Sequence, residues 1–331
     1  MPIAAHCGNR SLFNERGHYG MVNFIINRLW QSVILMLIVT AITFFLINLA
    51  PGGPASLMRM DATAEEREAL TKQMGLDQPV IVRYGKWLAE SLQGNFGQSL
   101  TSGQPVIQRV GERFPHTVEL AIYTLIFSVA AGVVLGIISA IRRNSAADYS
   151  INFFSAIGLS VPAFWLAIML IYLFSVVLQW LPSSGVGDGT GAQKWKYLIM
   201  PVLILSTTTL PTIVRFTRSS MLEVISQNFV RTARAKGAKE RTVIYSHALR
   251  NALIPVVTII GVLIPRLLGG AVITETVFGW PGMGRLIVEA AQGRDYNLVM
   301  GVTVIVTFIV IVSNFLVDIV YSRIDPRVKN F

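Results

Sequence analysis

The chain is short of cysteine, of charge and of grouped histidine. One cysteine, Cys7, in 331 residues excludes an intrachain disulfide and any multi-cysteine metal site. Charged residues make up 14% of the chain, against about a quarter in a soluble domain. The four histidines, His6, His18, His116 and His247, stand in separate segments. His6 and Cys7 are adjacent, but two ligands in an irregular tail make a poor metal site. There is no H-E-x-x-H, no G-x-S-x-G and no G-x4-G-K-[ST]. Gly185, Gly187, Gly189 and Gly191 are closely spaced, yet no strand–helix unit flanks them, so they do not read as a phosphate loop. No catalytic residue and no metal ligand set is therefore assigned.

What the chain has is apolar length. Hydrophobic residues are 53% of the total, the mean hydropathy is +0.56, and several runs reach the roughly 20 residues that span a bilayer. These features predict an all-α polytopic membrane protein. Residues 1–28 read as a cytoplasmic tail, polar and irregular over 1–20, with Met21 as a candidate alternative start. Residues 29–49 form a first transmembrane helix, preceded by Arg28. That run is too long for the core of a signal peptide, and further spans follow. Residues 50–115 form a long polar loop opened by Pro51-Gly52-Gly53-Pro54, with a short amphipathic helix over Thr63 to Met74 capped by Asp61 or Thr63. Residues 116–321 hold five further spans: Val118–Ile141, Ile151–Leu178, Tyr197–Val214, Ala252–Ile273 and Asn297–Tyr321. The third region, Ile151–Leu178, is too long to run straight, and Pro162 is placed to kink it. Residues 322–331 form a short tail.

Charge placement sets the orientation. With the N-terminus inside, segments 1–28, 142–150, 215–251 and 322–331 face the cytoplasm and carry 16 Lys and Arg, whereas the short outer segments 179–196 and 275–296 carry 4. The long loop 50–115 is left out because long loops cross largely regardless of charge. Six spans with both termini cytoplasmic follow. The net charge of +10 is then mostly a matter of topology, which removes the reason to invoke nucleic acid. In the second span Ser128, Gly132, Gly136 and Ala140 recur every fourth residue, a small-residue face that suits a contact within the chain or between two chains. Glu119 and Asp318 lie near span ends. Arg266 is the one clearly intramembrane cation. Such residues face a partner or a wet cavity: a place on a wet pathway is one reading, an internal pair or carbonyl contact at a helix kink the other.

The most unusual stretch is Phe229 to Pro255, a polar, basic interruption of the apolar second half. Arg231, Arg234, Lys236, Lys239, Arg241 and Arg250 are opposed there by Glu240 alone. Arg231, Thr232, Ala233, Arg234, Ala235, Lys236, Gly237 and Ala238 predict a short helix broken at the glycine, its small residues open to close approach by another backbone. Val243, Ile244, Ala248 and Leu249 give a second helix an apolar stripe. The stretch has the character of a docking surface.

It resembles the coupling loop of ABC importer permeases, patterned E-A-A-x3-G-x9-I-x-L-P. Arg231-Thr232-Ala233 stand in the E-A-A places, Gly237 in the glycine place, and His247-Ala248-Leu249 cover I-x-L; Arg250 replaces the proline, which appears only at Pro255. These departures match the dipeptide/oligopeptide/nickel branch, whose members read R-T-A-R-A-K-G and H-A-L-R-N-A-L-I-P. LAPGGPA, MGLDQPVIVRY, GNFGQSL, ETVFGWPGMGRL and the D-P-R-V tail resemble the same branch, over about residues 24–329. The resemblance implies a type I importer permease (MetI-like) fold. It implies half of a translocation pathway for di- or oligopeptides, coupled to ATPases through residues 231–238, with Arg266 as a candidate pathway residue. Relatives carrying nickel, glutathione or sugars match as well. Implied partners are a second homologous permease, two ATP-binding subunits holding ATP and magnesium, an extracytoplasmic binding protein on the side of the 50–115 module, and membrane lipid. A secondary transporter, the competing class, calls for buried acids or inverted repeats, and the chain offers only Glu119 and Asp318.

Overall fold

A computed structural model describes residues 10–49, 78–187 and 191–324. The expected helix over Thr63 to Met74, residues 1–9 with His6 and Cys7, and residues 325–331 lie outside them. The described residues are helical apart from loops and one isolated bridge between Gln98 and Pro105.

Helix α1 is Arg10–Leu49. It begins well inside the expected tail, so residues 10–20, read as irregular, are helical. Helix α2 is Val80–Leu92. Helix α3, Val106–Ile141, starts ahead of the expected second span and runs through Pro115; the end of the long polar loop is therefore helix. Helix α4 is Ala146–Ser160 and α5 is Ala163–Ile171, continued by a π-helical turn over Tyr172–Val177. Helix α6, Gly191–Ile225, contains Pro201 and Pro211 and overruns the expected fourth span at both ends. Helix α7 is Asn228–Ala235. A turn at Glu240–Thr242 and a π-helical segment, Val243–Ala248, lead into α8, Leu249–Gly270. Helices α9, Val272–Val277, α10, Met283–Gln292, and α11, Tyr296–Ile324, complete the order.

Five of these segments are long and apolar enough to cross a membrane: Ile26–Leu49, Val106–Ile141, Gln193–Ile225, Glu240–Gly269 and Tyr296–Ile319. The third hydrophobic region behaves differently from a kinked rod. Its arms, Ala146–Ser160 and Ala163–Val177, meet at 101°, so it makes the sixth span only if the bent pair is counted as one. Pro162 is the cause. It forces Val161 out of the helical region, to φ −81° and ψ 130°, and then starts α5 as the residue before its first turn.

The small-residue face of α3 is used within the chain. A Cβ on Gly132 would stand 2.8 Å from Ile213, and one on Gly136 would stand 2.5 Å from Thr217, so α3 and α6 pack backbone to backbone. Ser128, on the same face, hydrogen-bonds Ser206 at 3.0 Å and Thr209 at 2.7 Å, both buried. Bulkier residues would force the helices apart, and the buried hydroxyls satisfy one another in place of water. Helix α8 packs antiparallel on α11, with Gly261 against Val317 and Gly269 against Val310. Arg28 and Asp318 pair at 3.2 Å where α1 and α11 reach the inner end. Lys194 and Glu119 pair at 2.6 Å at the opposite end, beside the edge-on rings of Tyr123 and Trp195. The two acids singled out from the sequence for a secondary transporter, Glu119 and Asp318, are thus each held in an ion pair.

Candidate functional site

The basic segment stands on a packed footing. Val230, Val243, Ile244 and Ala248 are buried with Ile137 and Ala140 of α3, Met221 and Val224 of α6, and Ala252 of α8. One apolar residue of α7, Val230, is thus sunk into a core built from the inner ends of three helices. Arg231, Thr232, Arg234, Ala235, Lys236 and Gly237 remain exposed, and Ala233 and Ala238 are half-buried.

The end of α7 is a Schellman turn. Gly237 has φ +80°; its amide donates to the Arg234 carbonyl at 2.9 Å, and the Ala238 amide donates to the Ala233 carbonyl at 3.2 Å. This is the six-to-one and five-to-two pattern that closes a helix with a left-handed residue, and glycine adopts that conformation without a Cβ penalty. Nothing lies within 4 Å of where a Gly237 Cβ would be, so that residue faces open space. Arg234 donates twice to Glu240, at 3.1 and 2.7 Å, across the turn. Among the described residues, Arg234 is the member of 231–238 paired with a carboxylate; Arg231 and Lys236 extend outward. The result is a small, positively charged, rigidly capped helix, backed by core and open in front.

A second element holds this footing in place, and reading the chain in order missed it. Asp148, nearly fully buried at the start of α4, accepts two hydrogen bonds from Arg218 of α6, each 2.8 Å. It also accepts from Ser139 of α3, from the Asn144 amide and from Asn152. Ser145 caps α4 by accepting from the Asp148 amide. Ser145 followed at the third place by an acid is the sequence signal that was available; nothing local named Arg218 as the partner. The bent pair α4–α5 is thereby tied to the helix that leads into α7.

Arg266 lies on α8 between buried Pro265 and Leu267 and is itself exposed. It has no ion pair among the described residues. Its side chain points off the surface of α8.

At the other end, the segment expected to be a short polar loop is largely interior. Glu275 and Trp280 are completely buried. Glu275 accepts from Thr117 at 2.8 Å and from the Arg285 amide at 3.1 Å, and its carboxyl fills the space where Cβ atoms on Gly282 and Gly284 would lie. Burial raises its pKa above the ordinary carboxylate value, with the hydrogen bonds from Thr117 and from the Arg285 and Gly284 amides opposing. Trp280 donates to the His116 carbonyl at 2.9 Å. Asp295 is buried too, but its balance is reversed. Burial pushes its pKa up, and hydrogen bonds from Ser99 and from the Leu100, Leu298 and Thr101 amides outweigh that and leave it lowered. Ser99 and Thr101 bind the Asp295 Oδ2 atom, and Asn297 donates to the Gln98 carbonyl at 2.9 Å. The loop before α3 is thus tied to the start of α11.

The sequence matches known families along almost all of its length. Residues 132–330 match the family described as binding-protein-dependent transport system inner membrane component. Residues 21–121 match the N-terminal membrane component of the same systems. The oligopeptide transport system permease protein AppB of Bacillus subtilis (strain 168) is 40% identical over 315 residues, 93% of this chain and 100% of that protein. A probable peptide ABC transporter permease protein, y4tP, of Sinorhizobium fredii is 40% identical over 309 residues, covering 92% and 99%. Among solved structures, the inward-facing MetNI methionine ABC transporter aligns with a TM-score of 0.55 at 19% identity, over 66% of this chain and 97% of that one. At that identity the likeness is one of fold.

Proposed function

Since this chain belongs to the family of binding-protein-dependent transport system inner membrane components, we propose that it forms half of the translocation pathway of an ATP-driven importer of di- and oligopeptides. The observation that carries the substrate class is the full-length 40% identity to a permease named for oligopeptide transport. The partners of this reading are a second, homologous permease, two cytoplasmic ATPase subunits that bind ATP and magnesium, and an extracytoplasmic peptide-binding protein.

In this reading α7 is the coupling helix. Residues 231–238 seat in a groove of an ATPase, where the small side chains of Ala233, Ala235 and Gly237 allow close backbone approach and Arg231 and Lys236 meet acidic groups. Closure of the ATPases on ATP pulls α7. Because Val230 is sunk among the inner ends of α3, α6 and α8, the pull reaches three membrane helices together, and the pathway turns from inward- to outward-facing. Arg266, exposed on α8 and without an ion pair among the described residues, faces the second permease across the pathway and meets the peptide carboxylate.

The test is copurification of the chain with its ATPases, followed by ATP hydrolysis in proteoliposomes with the binding protein and a panel of peptides, nickel and sugars. Stimulation by peptides supports the reading. Stimulation by nickel alone overturns the substrate class, and failure to copurify with any ATPase overturns the coupling role.

A further inference from the structure

Helix α2 belongs to the polar segment that precedes α3, where sequence placed an outer, aqueous module. Its contacts put it deeper. Tyr84 Oη hydrogen-bonds Thr40 Oγ1 at 2.9 Å and reaches the Leu37 carbonyl at 3.4 Å. The Phe44 ring packs against Tyr84 at 5.5 Å and Trp87 at 6.1 Å. These α1 residues are mid-span. From the inner marker, Arg28 paired with Asp318, the helix rises about 18 Å to Thr40, and from Thr40 to Leu49 about 13 Å more, at 1.5 Å per residue. The apolar core of a bilayer is about 30 Å thick, so Thr40 lies beyond its mid-plane and well below its outer edge.

Helix α2 has three faces. Tyr84 and Trp87 meet α1, and Leu88 and Ser91, half-buried, share their face of the helix. Arg83, Lys86 and Glu90 form a polar strip, with Arg83 set over the Phe44 ring at 6.0 Å. The third strip, Ile81, Val82, Gly85, Ala89 and Leu92, is apolar and uncovered; Ile81 and Leu92 are 74% and 81% exposed. The strip lies at the depth of the acyl chains, and the neighbouring outer half of α1 shows the same uncovered apolar surface at Ile42, Leu46 and Leu49. We infer that α2 is embedded in the outer leaflet, its Ile81–Leu92 strip against phospholipid acyl chains in continuation of the lipid-facing side of α1. Its polar strip snorkels toward the headgroups. The outer module is thereby anchored to the bilayer beside α1 rather than standing off in water.

Nitroxide accessibility in the assembled, reconstituted transporter tests this. Ile81→Cys and Lys86→Cys are each made on a Cys7→Ser background, and the signal from Cys7→Ser alone removes labels on other subunits. The label at 81 is expected to collide severalfold more with oxygen, which partitions into lipid, than with a water-soluble nickel chelate, and the label at 86 to show the reverse. Equal access of the nickel chelate to both positions overturns the inference, because the helix then stands in water. So does shielding of position 81 from both reagents, because a protein partner then covers the strip.

Discussion

Asp148 and Arg218 lie on helices that meet only through the fold, and their carboxylate and guanidinium join fork to fork at 2.8 Å on both arms. The carboxylate is almost wholly enclosed, whereas the guanidinium side chain is 26% exposed. Removing the cation leaves a buried charge with fewer donors. Arg218→Ala is expected to cost about 3 kcal/mol, at the low end for breaking a buried pair because the arginine is partly hydrated. Replacing both partners with Asp148→Leu and Arg218→Met should cost less than the single change. Thermal unfolding of the detergent-solubilised protein checks both.

Gly237 separates a backbone effect from a docking effect. Gly237→Ala forces a side chain into a left-handed residue and is expected to weaken the end of α7 by about 1 kcal/mol. Gly237→Asn tolerates that backbone while adding bulk toward open space, so within this chain it is nearly silent. If α7 docks on an ATPase, Gly237→Asn should still insert and fold normally yet lose peptide-stimulated hydrolysis. Full stimulation in that variant would sink the coupling role of this turn.

The two buried acids at the outer end respond to pH with opposite signs. Asp295 has a lowered pKa in the fold. Its stabilisation is present above the ordinary carboxylate pKa and is lost as pH falls through the lowered value. Glu275 has a raised pKa, so its stabilisation is complete below the ordinary value and is lost as pH rises through the raised one. Asp295→Asn should therefore flatten the acid side of the melting-temperature profile, and Glu275→Gln the side above it. Melting curves across pH for the parent chain and both variants are the measurement.

Gly136 and Gly111 are both helical glycines of α3 in opposite situations. A Cβ at 136 would strike Thr217, whereas nothing lies within 4 Å of one at 111. Gly136→Val is expected to push α3 off α6 and cost several kcal/mol, beyond the usual overpacking penalty of about 1–3. Gly111→Ala should be neutral or stabilise by up to about 1 kcal/mol through helix propensity. Yield and melting of the purified variants decide it.

Arg266 is exposed in the chain, so Arg266→Ala should change stability by no more than about 0.5 kcal/mol. If the residue meets the peptide carboxylate, uptake of free peptides should fall while uptake of C-terminally amidated ones changes little. Equal loss for both kinds of peptide would remove it from that role.

Much of this was legible from residues alone. Helical membrane architecture follows from run length, because an unpaired backbone cannot sit in lipid. Orientation follows from counting Lys and Arg on either side. The basic segment was recognisable by its charge and its glycine, and Gly237 does close α7. Span ends were read poorly, because α3 and α6 continue through residues too polar for lipid, and tertiary contact keeps them helical where hydropathy falls away. The third hydrophobic region was read as kinked, but how far Pro162 would turn it depends on what each arm packs against.

Sequence by itself determined which segments leave water and which side their charges hold, since both are sums over neighbouring residues. Only the tertiary structure decided that Glu275, in a stretch that looks polar, is sealed inside, that Asp148 finds Arg218 on another helix, and that α2 lies against the middle of α1. Those three are partnerships between residues far apart along the chain, and no local pattern of apolar and charged residues encodes who meets whom.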